Sequence, residues 1–226
     1  MASTPIGGRT ASIDAPLRCA VFVSGSGSGM EALVHAQRNG RLPHETVVVV
    51  SDKSAALGLE RAERLGVPAV VVEHVDNGRR LTRDEHEIKL LTALEEYDVE
   101  LIVLSGYMRL LSSTFLKHWP HRVVNIHPSL LPLFPGAHAH RDVLESGVSV
   151  SGCTVHMVDE GMDSGARLAQ CPVPVFSDDT EATLAARIKI EEHRLYPMVL
   201  TWIAEGRVHL NEDDLEVEGV EDRLVH

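Results

Sequence analysis

Apolar residues along this chain fall into short, nearly continuous runs separated by segments with a helical period. That pattern describes strands buried on both faces alternating with amphipathic helices. Runs at 19–23, 46–50, 69–72, 101–104 and 123–127 predict strands, and 30–38, 55–65 and 84–97 predict helices between them. Residues 79–84 are polar and read as the loop entering the third helix. Ser112 or Ser113 can cap a short helix ending at Trp119. Further on, the pattern predicts a helix at 138–145, strands at 150–158 and 168–175, and a long helix from 179. Its apolar positions Leu184, Ile188, Leu195, Val199 and Trp202 trace one side, and Pro197 should kink it. The alternation predicts one α/β domain over 17–210, with a Rossmann-like, doubly wound, mostly parallel sheet and helices on both faces. Residues 1–16, rich in Ser, Thr, Gly, Ala and Pro, read as a flexible leader, so removing 1–14 should leave folding and activity intact. Residues 211–226 read as an acidic, loosely packed tail.

Aromatic residues make up only 4% of the 226, so Val, Leu and Ala must build the core. A formal net charge of -12 argues against a nucleic-acid partner, because phosphate backbones need clustered Lys and Arg. The charge leaves room for a small anion held by backbone dipoles. No apolar run approaches a membrane span, and no basic segment followed by an apolar core opens the chain. Cys19, Cys153 and Cys171 are widely spaced without a metal pattern, which fits a reduced, cytoplasmic setting. A homodimer is left open.

Two motifs carry candidate chemistry. Ser24-Gly25-Ser26-Gly27-Ser28-Gly29 joins the first strand to a helix, an arrangement in which backbone N–H groups can cradle a phosphate. It also suits a plain tight turn. The second is Val123-Val124-Asn125-Ile126-His127-Pro128-Ser129-Leu130-Leu131-Pro132. Alternation puts Asn125 and His127 on one face at the end of a strand, where an amide can donate to an oxyanion and an imidazole can move a proton. A capped strand with a surface His would show the same spacing. In a doubly wound sheet ligands bind outside the carboxyl ends of the strands, where the Gly/Ser loop, 107–110 and Asn125/His127 all fall.

At Asn125-Ile126-His127-Pro128-Ser129-Leu130-Leu131-Pro132, with Asp163 in the later loop Asp159-Glu160-Gly161-Met162-Asp163-Ser164-Gly165, the sequence resembles the folate-dependent formyltransferases. The resemblance runs from about residue 17 to 206 and includes Pro135-Gly136-Ala137-His138-Ala139-His140-Arg141 and Gly152-Cys153-Thr154-Val155-His156. It is strongest to members that formylate glycinamide ribonucleotide from 10-formyltetrahydrofolate in purine synthesis. Methionyl-tRNA formyltransferases share the core but normally carry a further C-terminal domain not seen here. The resemblance implies the formyltransferase fold and a catalytic set of Asn125, His127 and Asp163. It implies ribonucleotide contacts at Gly27, Ser28, Gly29, Lys189 and Glu192. Folate contacts are implied at Arg83, Tyr107, Met108, Arg109, Leu110, Asn125, Asp159, Glu160, Gly161 and Met162. Small molecules are then the partners, 10-formyltetrahydrofolate is the co-substrate, and no metal is needed. Gly29 departs from the family's usual Asn, which removes a side-chain contact but leaves the backbone donors.

Other readings compete. Gly25-x-Gly27 after a strand, with Asp52 after the next, suggests a dinucleotide site, but Met30 stands where the fingerprint wants its third Gly. His138-x-His140 suggests a metal hydrolase, yet residues two apart diverge on a helix. Formyltetrahydrofolate hydrolases of the same superfamily usually carry an added N-terminal regulatory domain, which the short leader cannot supply.

Overall fold

The computed structural model describes residue 6, residues 8–211, residues 214–219 and residue 224. The chain forms two compact units, Ala11–Val123, and Val124–His226 with Met1–Thr10. Among the described residues no helix is long and apolar enough to cross a membrane.

The first unit runs β1 (Leu17–Val23), α1 (Ser28–Gly40), β2 (His44–Ser51), α2 (Leu57–Arg64), β3 (Ala69–Val71), β4 (Val75–Asp76), β5 (Arg79–Arg80), α3 (Arg83–Glu95), β6 (Leu101–Leu104) and α4 (Ser113–His118). Its main strands lie in the order β3-β2-β1-β6, and each adjacent pair is parallel. The valine-rich runs are buried as the pattern predicts: Val21, Phe22, Val23, Val48, Val49, Val50, Ile102 and Val103 are all fully inaccessible. Arg79 and Arg80 pair in a small antiparallel ribbon with Val75 and Asp76, where a loop was expected. Arg83 opens α3 behind a Thr82–Glu85 capping box. Ser112 caps α4 by accepting the Phe115 N–H at 3.1 Å.

The boundary between the units falls at the start of β7 (Val123–His127), which is followed by α5 (Ala139–Ser146), β8 (Val150–Met157), β9 (Arg167–Pro174), α6 (Glu181–Ala204), β10 (Val208–Asn211) and β11 (Asp214–Val217). β7, β8 and β9 pair antiparallel in that order. The register sets Asn125 opposite His156 and His127 opposite Thr154. α6 is anchored on β7 by Tyr196, whose hydroxyl donates to Val124 O at 3.0 Å. It continues as helix through Pro197.

Both ends of the chain differ from the sequence expectation. Ile6 is buried at 3% exposure and its N–H donates to Val208 O, so the leader packs at one point. Residues 1–5 and 7 lie outside the described residues. Val208 and Val217, both buried, face each other in the β10–β11 hairpin, so the expected loose tail begins as paired strands. Residues 212–213, 220–223 and 225–226 lie outside the described residues.

Ile6→Ala should leave a cavity against the second unit's core. We expect a loss of about 2–4 kcal/mol, read as a fall of several degrees in the midpoint of thermal unfolding by circular dichroism. An unchanged midpoint would restore the flexible leader.

Candidate active site

Three residues named from the sequence meet in the second unit. Asn125 and His127 are on the same face of β7, and Asp163 comes from the loop between β8 and β9. His127 Nε2 is 2.8 Å from Phe134 O. A carbonyl only accepts, so Nε2 carries the ring proton and donates it. Nδ1 is left facing Asp163 Oδ2 at 3.4 Å. Ser129 Oγ donates to Leu133 O at 2.6 Å and so fixes the turn that carries Phe134.

His156, not singled out as a site residue in the sequence, completes the cluster. Its Nδ1 donates to Met157 O at 2.8 Å, which turns Nε2 toward Asn125 Nδ2 at 3.1 Å and Asp163 Oδ1 at 3.5 Å. Asn125 Nδ2 also donates to Asp163 Oδ1 at 3.4 Å, and Gly136 N donates to Oδ2 at 2.8 Å. Both donors of the Asn125 amide therefore point into the cluster, which its reading as a simple oxyanion donor did not anticipate. The signal for His156 was its place in a strand opposite Asn125, visible only once the register is known.

Each imidazole gives one N–H to a backbone carbonyl and turns its other nitrogen toward one oxygen of the same carboxylate. A proton on that second nitrogen lies between ring and carboxylate, where it makes a charge-assisted hydrogen bond. Burial lowers the His127 pKa, and the opposing pulls of the Phe134 carbonyl and Asp163 do not restore it. Burial alone would raise the Asp163 carboxyl. The His156 bond, the Gly136 N–H and the two imidazoles outweigh it and hold the pKa down at about 2.

The loop geometry differs from the one expected. Asp163 itself takes the left-handed backbone, with φ 52, and its glycine neighbours do not. Gly165 is required because a Cβ there would lie 1.9 Å from Met157 O. Asp159 Oδ1 closes the loop by accepting Gly161 N at 3.0 Å and Ser164 Oγ at 2.8 Å, while Glu160 and Met162 are exposed.

Lys189 and Glu192 lie one turn apart on α6, exposed and half-buried respectively. Burial pushes the Glu192 carboxyl up to about 7, against the lowering pull of Lys189. His140, at the start of α5, has its pKa lowered by burial. Among the described residues no group of three or more His, Cys, Asp or Glu side chains is arranged to hold a metal ion.

The first unit carries the remaining candidates. Gly27 is the N-cap of α1 in a left-handed conformation with φ 68, and no side chain caps the helix. A Cβ at Gly27 would meet Gly58 Cα at 2.4 Å, so the glycine serves close packing of loop on α2 as well as access for a ligand. Ser28 and Gly29 open the helix with their N–H groups unpaired by helix geometry. Tyr107 is buried against Phe22 with ring centroids 5.2 Å apart, whereas Met108 and Leu110 are exposed at 64% and 56%. Arg83 Nη2 donates to Leu110 O at 2.6 Å, which ties the start of α3 to this segment. Arg109 Nη1 donates to His74 Nε2 at 2.6 Å.

An amide and an imidazole at the end of a strand, met by a carboxylate from a later loop, suit acyl transfer, and residues 17–200 match the family described as formyl transferase, to which the chain belongs. Within that family it is 36% identical over 201 residues to phosphoribosylglycinamide formyltransferase of Escherichia coli strain K12, covering 88% of this chain and 92% of that one. It is 46% identical over 196 residues to the trifunctional purine biosynthetic protein adenosine-3 of Gallus gallus, covering 87% of this chain. The chain spans only 19% of that longer relative. A crystal structure of glycinamide ribonucleotide transformylase 1 from Symbiobacterium toebii superposes with a TM-score of 0.84 at 43% identity, covering 89% of this chain and 94% of the other. The α/β formyltransferase fold expected from the sequence is thereby established.

Both His127 and Asp163 bind protons less tightly folded than unfolded, so stability rises with pH through each window. The His127 contribution is complete above its ordinary value of 6.5 and falls below it. The Asp163 contribution is complete above 3.8 and is lost as the pH falls toward about 2. Asp163→Asn should therefore cost on the order of 2 kcal/mol in urea unfolding at neutral pH. The gap from wild type should close between pH 3.8 and about 2. A gap that stays constant over that range would show that the folded state does not hold the carboxylate as an anion.

Proposed function

We propose that this chain transfers the formyl group of 10-formyltetrahydrofolate to the amine of glycinamide ribonucleotide, a step of purine synthesis. The observation that carries the reading is the cluster of His127, Asp163 and His156 with the Asn125 amide set into it. In formyl transfer the amine nitrogen attacks the formyl carbon, and the carbonyl oxygen becomes an oxyanion. The tetrahedral species then collapses by breaking the bond to folate N10. The amine loses a proton and N10 gains one. The cluster supplies a place for that proton in transit, and neutral His127 is the form able to accept it.

Asn125 stabilises the oxyanion with the N–H whose present contact to Asp163 is the longer, at 3.4 Å. When Asp163 shares the incoming proton its charge no longer holds that N–H, and the donor becomes available to the formyl oxygen as charge develops there. Proton uptake and oxyanion stabilisation are then coupled through one carboxylate. Positioning and electrostatics supply the catalysis, and the residues invoked require no metal.

Substrate contacts follow the same reading. In the first unit, the N–H groups of Gly27, Ser28 and Gly29 at the uncapped start of α1 are suited to a substrate phosphate, and the segment Tyr107, Met108, Arg109 and Leu110, tied to Arg83, to folate. The exposed apolar side chains of Met108 and Leu110 suit a flat ring system. In the second unit, Lys189 and Glu192, whose carboxyl burial pushes up to about 7, are suited to the polar ribonucleotide, and the loop Asp159, Glu160, Gly161 and Met162 to folate. With small soluble substrates and no nucleic-acid or membrane partner, the enzyme belongs to the cytoplasm.

The reading is tested by following 10-formyltetrahydrofolate consumption with and without glycinamide ribonucleotide. Turnover should require the ribonucleotide. Equal turnover without it would assign the cluster to hydrolysis.

Asn125→Ala should lower kcat about 10²–10³-fold with the fold retained, the usual loss for one oxyanion donor. Steady-state kinetics beside a far-ultraviolet spectrum would check both halves. A near-native kcat would leave His127 and Asp163 to act without the amide.

A further inference from the structure

Asp52 follows β2 in the first unit, and the proposed reaction makes no use of it. Its side chain is 4% exposed. Oδ1 accepts the Ser24 hydroxyl at 2.6 Å. With its proton given to Asp52, the Ser24 oxygen accepts the Met108 N–H at 3.0 Å, and Ser24 N donates to Gly106 O at 3.1 Å. Asp52 Oδ2 stands 3.4 Å from His74 Nε2, the atom to which Arg109 Nη1 donates at 2.6 Å. One buried carboxylate thus reaches the segment after β6 through Ser24, at the Met108 backbone.

Strand order explains why these residues meet. β1 lies between β2 and β6, so Ser24 at the end of β1 bridges Asp52 after β2 to Met108 after β6. Burying a carboxylate is costly, and a segment that only needed to be packed could be held by apolar side chains. Here the side chains being carried, Met108 and Leu110, face solvent instead of the core. The hydrogen bonds fix a backbone whose apolar side chains remain uncovered.

We infer that Asp52, acting through Ser24, is a positioning residue for the folate co-substrate, holding the Met108 backbone so that residues 108–110 present a preformed surface to the folate ring system. This rests on the proposed function and on the assignment of 107–110 to folate.

The test is steady-state kinetics on full-length Ser24→Ala, Asp52→Ala and Asp52→Asn, with thermal unfolding of each. Ser24→Ala, which leaves the Met108 N–H without its acceptor, should raise the KM for 10-formyltetrahydrofolate about five- to tenfold. Its kcat and its KM for the ribonucleotide should stay within about twofold of wild type, the mark of binding lost without loss of chemistry. Asp52→Ala should behave in the same way. Asp52→Asn keeps an oxygen to accept the Ser24 hydroxyl and should recover most of the folate affinity. Should Asp52→Ala fail to fold, Ser24→Ala and Asp52→Asn carry the comparison. A folded Ser24→Ala with native folate KM, or with both KM values raised equally, overturns the inference while the formyl-transfer reading stands. Wild type without ribonucleotide-dependent consumption of 10-formyltetrahydrofolate overturns the reading and the inference with it.

Discussion

One carboxylate facing two imidazoles is the constraint around which the second unit is arranged. Backbone carbonyls take one N–H of each ring, Phe134 O on one side and Met157 O on the other, and so turn its other nitrogen toward Asp163. The register of β7 on β8 brings His156 opposite Asn125, and the left-handed backbone at both Phe134 and Asp163 aims the groups that complete the cluster. That conformation is costly for a non-glycine residue, and here it occurs at two contacts of the same imidazole.

Electrostatics in the two units differ in kind. In the second unit burial lowers the His127 pKa, whereas local bonds hold the Asp163 pKa down against burial. In the first unit, Asp52 and Glu87 are carboxylates used as backbone anchors. Glu87 accepts the Ser112 N–H at 2.8 Å and the Ser112 hydroxyl, and so joins α3 to the start of α4. These anchors sit beside segments of irregular backbone at strand ends, where no ladder of sheet hydrogen bonds can hold the chain.

Much of this was legible in the sequence because burial on both faces leaves a plain signature. The strands at 19–23 and 101–104 are buried throughout and that at 46–50 is buried from Val48 on, so periodicity and length sufficed to place them. Alternation alone put Asn125 and His127 on one face. What could not be read depends on pairing at long range. His156 owes its position to strand register, Asp52 to the order of β2, β1 and β6, and Ile6 to a strand some two hundred residues later. The β10–β11 hairpin was hidden because acidic residues dilute the apolar alternation that seats Val208 and Val217. In the 159–165 loop the glycines drew attention to flexibility, yet the unusual backbone belongs to the aspartate.

The bond from Ile6 N to Val208 O brings the start of the folded chain against the strand that opens its last hairpin. Residues 6 and 208 are therefore neighbours in space although most of the chain lies between them. A contact that closes so long a loop carries a large closure entropy, which the burial of Ile6 and Val208 helps to offset.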